Sequence, residues 1–76
     1  MQYYQRMRDL REDADLNQKK LGEVLQTTQS YYAQYENGKR EMPFSRAIEL
    51  AKFYNVSLDY LAGLIDEPLK LSERKR

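Results

Sequence analysis

The chain has 76 residues, 13 Lys plus Arg against 12 Asp plus Glu, and neither Cys nor His. That length holds one small domain at most. The absence of cysteine excludes a disulfide staple and a thiolate metal site, so only carboxylates remain as side-chain metal ligands and no cofactor is expected. A net charge of +1 means that affinity for any anionic partner must come from where the charges sit, not from their sum.

No stretch approaches the roughly 18 apolar residues of a membrane span. The opening MQYYQRMRDLRED is amphipathic and lacks the apolar centre of a signal peptide. A soluble, cytoplasmic protein with no membrane partner is expected, and the lack of Cys fits a reducing compartment.

Tyr3, Met7, Leu10 and Ala14 fall at i, i+4, i+7 and i+11, one face of a helix predicted over Tyr3 to about Ala14. Asp15 stands where the chain must turn, and Asp tolerates a left-handed backbone better than most residues. Asn17 is a good N-cap, with Leu16 and Leu21 placed to staple the turn. The second helix is predicted from Gln18 to about Leu25, with Leu21, Val24 and Leu25 inward. Gln26-Thr27 breaks it. Thr28 caps a third helix, Gln29 to about Glu36, whose buried pair is Tyr32 and Tyr35. Asn37-Gly38 ends it, because Gly supplies a positive φ. After the loop from Lys39, Pro43 suits the entry to a fourth helix, about Phe44 to Tyr54. Phe44, Ala47, Ile48, Ala51 and Tyr54 are its expected core side, and Asn55 stops it. Ser57 caps a fifth helix, Leu58 to about Leu64, with Val56 and Leu61 as a second staple. Pro68 interrupts any continuation, and LSERKR reads as a polar, frayed end. Residues 1–65 therefore read as the domain and 66–76 as a flexible tail. Five short helices and no strand pattern predict a compact all-α bundle.

The second and third helices are short and joined by a tight turn. Gly22 sits where they would cross. Gly costs about 1 kcal/mol against Ala inside a helix, which makes sense where a larger side chain would collide with the partner helix. Gln29, Ser30, Tyr31 and Gln34 are left on the outside of the third helix. A Gln amide carries a donor and an acceptor together, matching N6 and N7 of adenine in the major groove. No nucleophile–base pair, paired-carboxylate pocket or Gly-rich phosphate cradle is present, so an enzyme is not expected.

The stretch NQKKLGEVLQTTQSYYAQYENGKRE, from Asn17, resembles the DNA-binding unit of the phage repressor and Cro-like (XRE) helix-turn-helix family. The fourth helix and VSLDYLAGL resemble the closing part of that domain, and the likeness runs from about Met7 to Leu64. It implies a five-helix lambda-repressor-like fold and a sequence-specific transcriptional regulator, a repressor. Such a protein acts as a homodimer on a pseudo-palindromic double-stranded operator, with no small-molecule ligand evident. By the same resemblance, Gln29, Ser30 and Gln34 match base-reading positions, while Gln18, Asn37, Lys39 and Arg40 match phosphate contacts. Arg11 and Glu36 match a structural ion pair.

Some assignments stay open at this level. Tyr31 either packs on a sugar or thymine methyl or is merely exposed. Lys19 and Lys20 either meet phosphate or belong to a solvated face. Leu61, Leu64 and Ile65 either close the core or form a dimer face. Gln26 stands where the family has Gly, and Tyr32 where it has Ile or Val, so the turn and the pocket beneath the third helix are expected to differ. The alternative function is an antitoxin-like or adaptor domain that binds a protein partner through the same fold.

Overall fold

Five helices run through the described residues, 1–68, of a computed structural model: α1 (Tyr3–Asp13), α2 (Gln18–Val24), α3 (Gln29–Glu36), α4 (Phe44–Tyr54) and α5 (Leu58–Leu61). Local chemistry sets where three of them begin. Asn17 Oδ1 accepts from the Lys20 N–H at 2.8 Å, Thr28 Oγ1 from Tyr31 at 3.0 Å, and Ser57 Oγ from Tyr60 at 3.2 Å. Each cap satisfies a donor that has no partner inside its own helix.

The turns that follow α1, α2 and α4 each place a non-glycine residue in the left-handed region: Asp15 at φ 57°, Gln26 at 57° and Asn55 at 56°. Asp and Asn adopt this conformation readily, whereas for Gln26 it costs about 1 kcal/mol. After α3 the same role falls to Gly38, at φ 71°.

α2 packs most extensively against α3, α1 lies against α3 and α5, and α4 lies against α5. Between them Met7, Leu21, Leu25, Tyr32, Tyr35, Leu50, Ala51 and Leu61 form the buried core. Burial of each large side chain contributes about 1.5–3 kcal/mol, and this outweighs the low intrinsic stability of such short helices.

Three expectations fail at the level of packing. Phe44 is 70 % exposed, standing at an open apolar groove with Tyr3, Met42 and Leu58 rather than inside the core, and Leu50 is the fully buried residue of that helix. Ala14 is exposed and lies beyond the end of α1. α5 stops at Leu61 instead of about Leu64, since Gly63 at φ 84° turns the chain and its N–H returns to the Tyr60 carbonyl.

Arg6 is a buried cation that the helical pattern alone does not reveal. Its Nη1 donates to the carbonyls of Tyr60 at 3.1 Å and Ile65 at 3.2 Å, and its guanidinium lies 3.8 Å from the Tyr60 ring centroid. A buried charge needs such partners, and these fasten the segment after α5 onto α1. Of the tail expected at 66–76, residues 69–76 lie outside those described. No helix among the described residues is long and apolar enough to cross a membrane.

Candidate nucleic-acid interface

The approach of α2 to α3 is close enough to involve backbone. A Cβ on Gly22 would stand 3.0 Å from the Thr28 carbonyl carbon and oxygen and 3.1 Å from the Gln29 nitrogen. The chain between the helices then closes through the Thr27 N–H, which donates to the Gly22 carbonyl at 2.8 Å. The start of α3 is thus seated directly on α2.

Tyr32 and Tyr35 hold α3 down from its inner side, at 0 % and 1 % exposure. The Tyr35 hydroxyl accepts from Arg46 Nη1 at 2.9 Å. The buried Tyr32 hydroxyl, where the smaller aliphatic residue was expected from the resemblance, lies beside Glu36 but outside good hydrogen-bond geometry; the buried Tyr54 hydroxyl also lacks a hydrogen-bond partner. Burial pushes both hydroxyls well above the ordinary tyrosine value, and the Glu36 charge adds to this, so both stay neutral.

Glu36 ends α3 with a carboxylate that no solvent reaches. Arg11 meets it as a fork, Nε to Oε2 at 2.8 Å and Nη2 to Oε1 at 3.1 Å, while Arg11 Nη1 donates to the Leu16 carbonyl at 3.0 Å. Arg8 adds a second cation at 3.7 Å. Burial would raise the Glu36 pKa, but hydrogen bonding from Arg11 and Gln18, together with the nearby charge of Arg11, holds it below the usual carboxylate value. One carboxylate therefore joins α1, the start of α2 and the end of α3. The small energies typical of exposed surface pairs do not apply to it, because the pair is desolvated.

On the outer side of α3, Gln29 and Ser30 are exposed, and Tyr31 and Gln34 are half-buried. Tyr31 leans on the core, with its ring edge-on to Tyr35 at 5.6 Å between centroids. Lys19, Lys20, Asn37, Lys39 and Arg40 are all exposed. Three of the expected phosphate ligands make contacts within the chain. Gln18 is half-buried and its Nε2 donates to Glu36 Oε1 at 3.2 Å. Arg40 folds back along α3, its Nε donating to Gln34 Oε1 at 3.2 Å. Asn37 Oδ1 accepts from Arg8 Nη2 at 3.3 Å. Of the proposed dimer-face residues, Leu61 is buried in the core, Leu64 is 76 % exposed and Ile65 is half-buried.

This arrangement is two short crossed helices, the second held from beneath and carrying polar side chains on its outer side, with Arg40 folded over Tyr31 and Gln34. A helix-turn-helix family profile matches residues 7–61. The chain belongs to the helix-turn-helix family. Its type is that of the XRE-like regulators, as the segment from Asn17 implied. It is 38 % identical over 73 residues to an uncharacterized HTH-type transcriptional regulator, YobD, of Bacillus subtilis strain 168, a match that covers 96 % of this chain and 65 % of that protein. A crystal structure of a transcriptional regulator from Listeria innocua shares the fold with a TM-score of 0.80 at 24 % identity, over 87 % of this chain and 62 % of that one. The chain thus spans less than two thirds of the length of either protein.

Within this helix-turn-helix unit the supporting residues that local patterning missed are Arg6, Arg8 and Arg46. Arg8 carried a signal, since it lies one turn before Arg11 and so on the same face of α1. Arg46 carried none, because its partner Tyr35 belongs to another helix.

Proposed function

We propose that this domain is the DNA-binding part of a transcriptional repressor, acting as a homodimer on a pseudo-palindromic operator with α3 in the major groove. The observation that supports this most is the outer face of α3. It carries two amides and a hydroxyl and no charged residue of its own, and Lys19 and Lys20 on the helix before it and Lys39 in the loop after it are exposed. Amides and hydroxyls meet base edges, and lysines meet phosphate, which gives affinity without sequence information. Its placement on a helix fastened to α1 and α2 by Glu36 suits an element that must keep one depth in a groove.

In this reading Gln29, Ser30 and Gln34 read bases, with Tyr31 alongside, and Lys39, Asn37 and Lys19 meet phosphate. With the two lysines neutralising roughly one phosphate each in every monomer, the log–log salt slope of the dimer is about −4. Selection of bound sequences from a random duplex pool tests the proposal directly. It should return two related half-sites at a fixed spacing, each mismatch costing about 1–3 kcal/mol. A folded domain that retards no DNA fragment even at low salt would instead point to a protein partner, as in an antitoxin or adaptor.

A further inference from the structure

Arg40 follows the end of α3 and is tied to Gln34 twice. Its backbone N–H donates to the Gln34 carbonyl at 3.3 Å, beside that of Lys39 at 3.0 Å. Its side-chain Nε donates to Gln34 Oε1 at 3.2 Å. The guanidinium also lies over Tyr31, 4.5 Å from the ring centroid. Tyr31 and Gln34 are three residues apart on one helix and so share a face. The ring beneath is itself held against Tyr35, whose hydroxyl Arg46 binds. A planar cation is thereby laid on a fixed aromatic plate with its Nε aimed at one amide.

The chemistry of that contact has only one polarity. An Arg Nε–H can donate and cannot accept. The Gln34 atom that faces it must therefore be the oxygen, since turning the amide over would set donor against donor. Nε2, with two hydrogens, is the end left for the groove. A glutamine with both ends free pairs with adenine by accepting from N6 and donating to N7. With one lone pair of its oxygen taken and that oxygen drawn toward Arg40, the end Gln34 presents most freely is its pair of donors. Guanine presents two adjacent acceptors, N7 and O6, whereas adenine places an N6 donor beside its N7.

We infer that Arg40 is a positioning residue that fixes Gln34 as a donor, so that the base under Gln34 is read as guanine and not adenine. This rests on the DNA-reading function proposed above. It also removes Arg40 from the phosphate contacts that the family resemblance implied.

The test is sequence selection from a random duplex pool with the wild-type chain, Gln34→Ala, Arg40→Ala and Arg40→Lys, each first shown to be folded by its melting curve. Gln34→Ala identifies the half-site position that Gln34 reads, as the one at which preference is lost. Guanine is expected there for the wild type. Arg40→Ala should swing the guanine-to-adenine ratio at that position by about tenfold toward adenine and leave the other positions and the salt slope unchanged. Arg40→Lys keeps the charge and a donor but loses the planar group that rests on Tyr31 and aims Nε, and should give part of the same swing. A uniform loss of affinity with a shallower salt slope, rescued by lysine, would make Arg40 a phosphate contact and overturn the inference. So would an unchanged preference in every variant. A wild-type chain that enriches no sequence at all would remove the DNA-reading function itself, a result distinct from either.

Discussion

Glutamine in place of Glu36 keeps the shape of the side chain and removes its charge. In the native domain the Glu36 carboxylate is wholly covered and accepts Arg11 Nε at 2.8 Å, Arg11 Nη2 at 3.1 Å and Gln18 Nε2 at 3.2 Å. One amide oxygen can still take Arg11, but the amide nitrogen would then face a second N–H, donor against donor. Removing one partner from a buried pair costs about 3–5 kcal/mol. Here the Arg11 side chain is 14 % exposed and Arg8 above it 46 %. Water reaches the stranded cation, so a loss of about 2–3 kcal/mol is expected. For a domain this small that is a fall in Tm of roughly 10–20 °C, read by circular dichroism near neutral pH. The pH dependence gives a second readout. The folded pKa of Glu36 lies below its ordinary 4.5. Its contribution is therefore fully present above that value and is lost as pH falls through the folded pKa. The gap between wild type and Glu36→Gln should close in acid. A variant melting within about 2 °C of wild type, or a gap that does not change with pH, would refute the assignment of Glu36 as a tie between the helices.

Four further outcomes follow from the geometry. Gly22→Ala presses a methyl onto the Thr28 and Gln29 backbone. Overpacking costs about 1–3 kcal/mol and better helix propensity returns about 1, so urea unfolding should show a net loss of about 1 kcal/mol; a gain would contradict the close crossing. Gln26→Gly relieves a left-handed residue and should raise stability by up to about 1 kcal/mol, whereas a lower Tm would mean that the turn carries no strain. Gln29→Ala should weaken operator binding by about 1–3 kcal/mol and leave random duplex untouched. Lys39→Ala should weaken both alike and flatten the salt slope by about 1 per monomer. Fluorescence anisotropy on the two duplexes separates these, and equal losses for both variants would dissolve the distinction between base and phosphate contacts.

Much of the fold was legible because the relevant chemistry is short-range. A cap oxygen reaches an N–H three residues on, so Asn17, Thr28 and Ser57 identify helix starts from neighbours alone. The left-handed turn at Asp15 and the positive φ of Gly38 are likewise properties of single residues. The outward direction of Ser30 follows from the inward one of Tyr32, two residues on and so roughly on the opposite side of the helix.

Phe44 and Leu50 show where that reach ends. Periodicity gives the face of a helix but not how fully a neighbour covers that face, and Phe44 is left at an open groove while Leu50 is enclosed. Leu61 and Leu64 lie three residues apart and would share a face on a continued helix, yet Gly63 separates a core residue from an exposed one. Which polar side chains would be engaged was hidden for a similar reason. Gln18, Asn37 and Arg40 look alike on paper, as exposed polar groups beside a recognition helix. Gln18 and Asn37 are claimed by groups brought from other helices, and Arg40 by a loop that folds back. Residue type and spacing, acting over one helical turn, determined the elements, their caps and the uncharged outer face of α3. Where each element ends against its neighbours, and which hydrogen-bonding ends remain free for a partner, depends on contacts between residues far apart in the chain, and only the folded packing decided them.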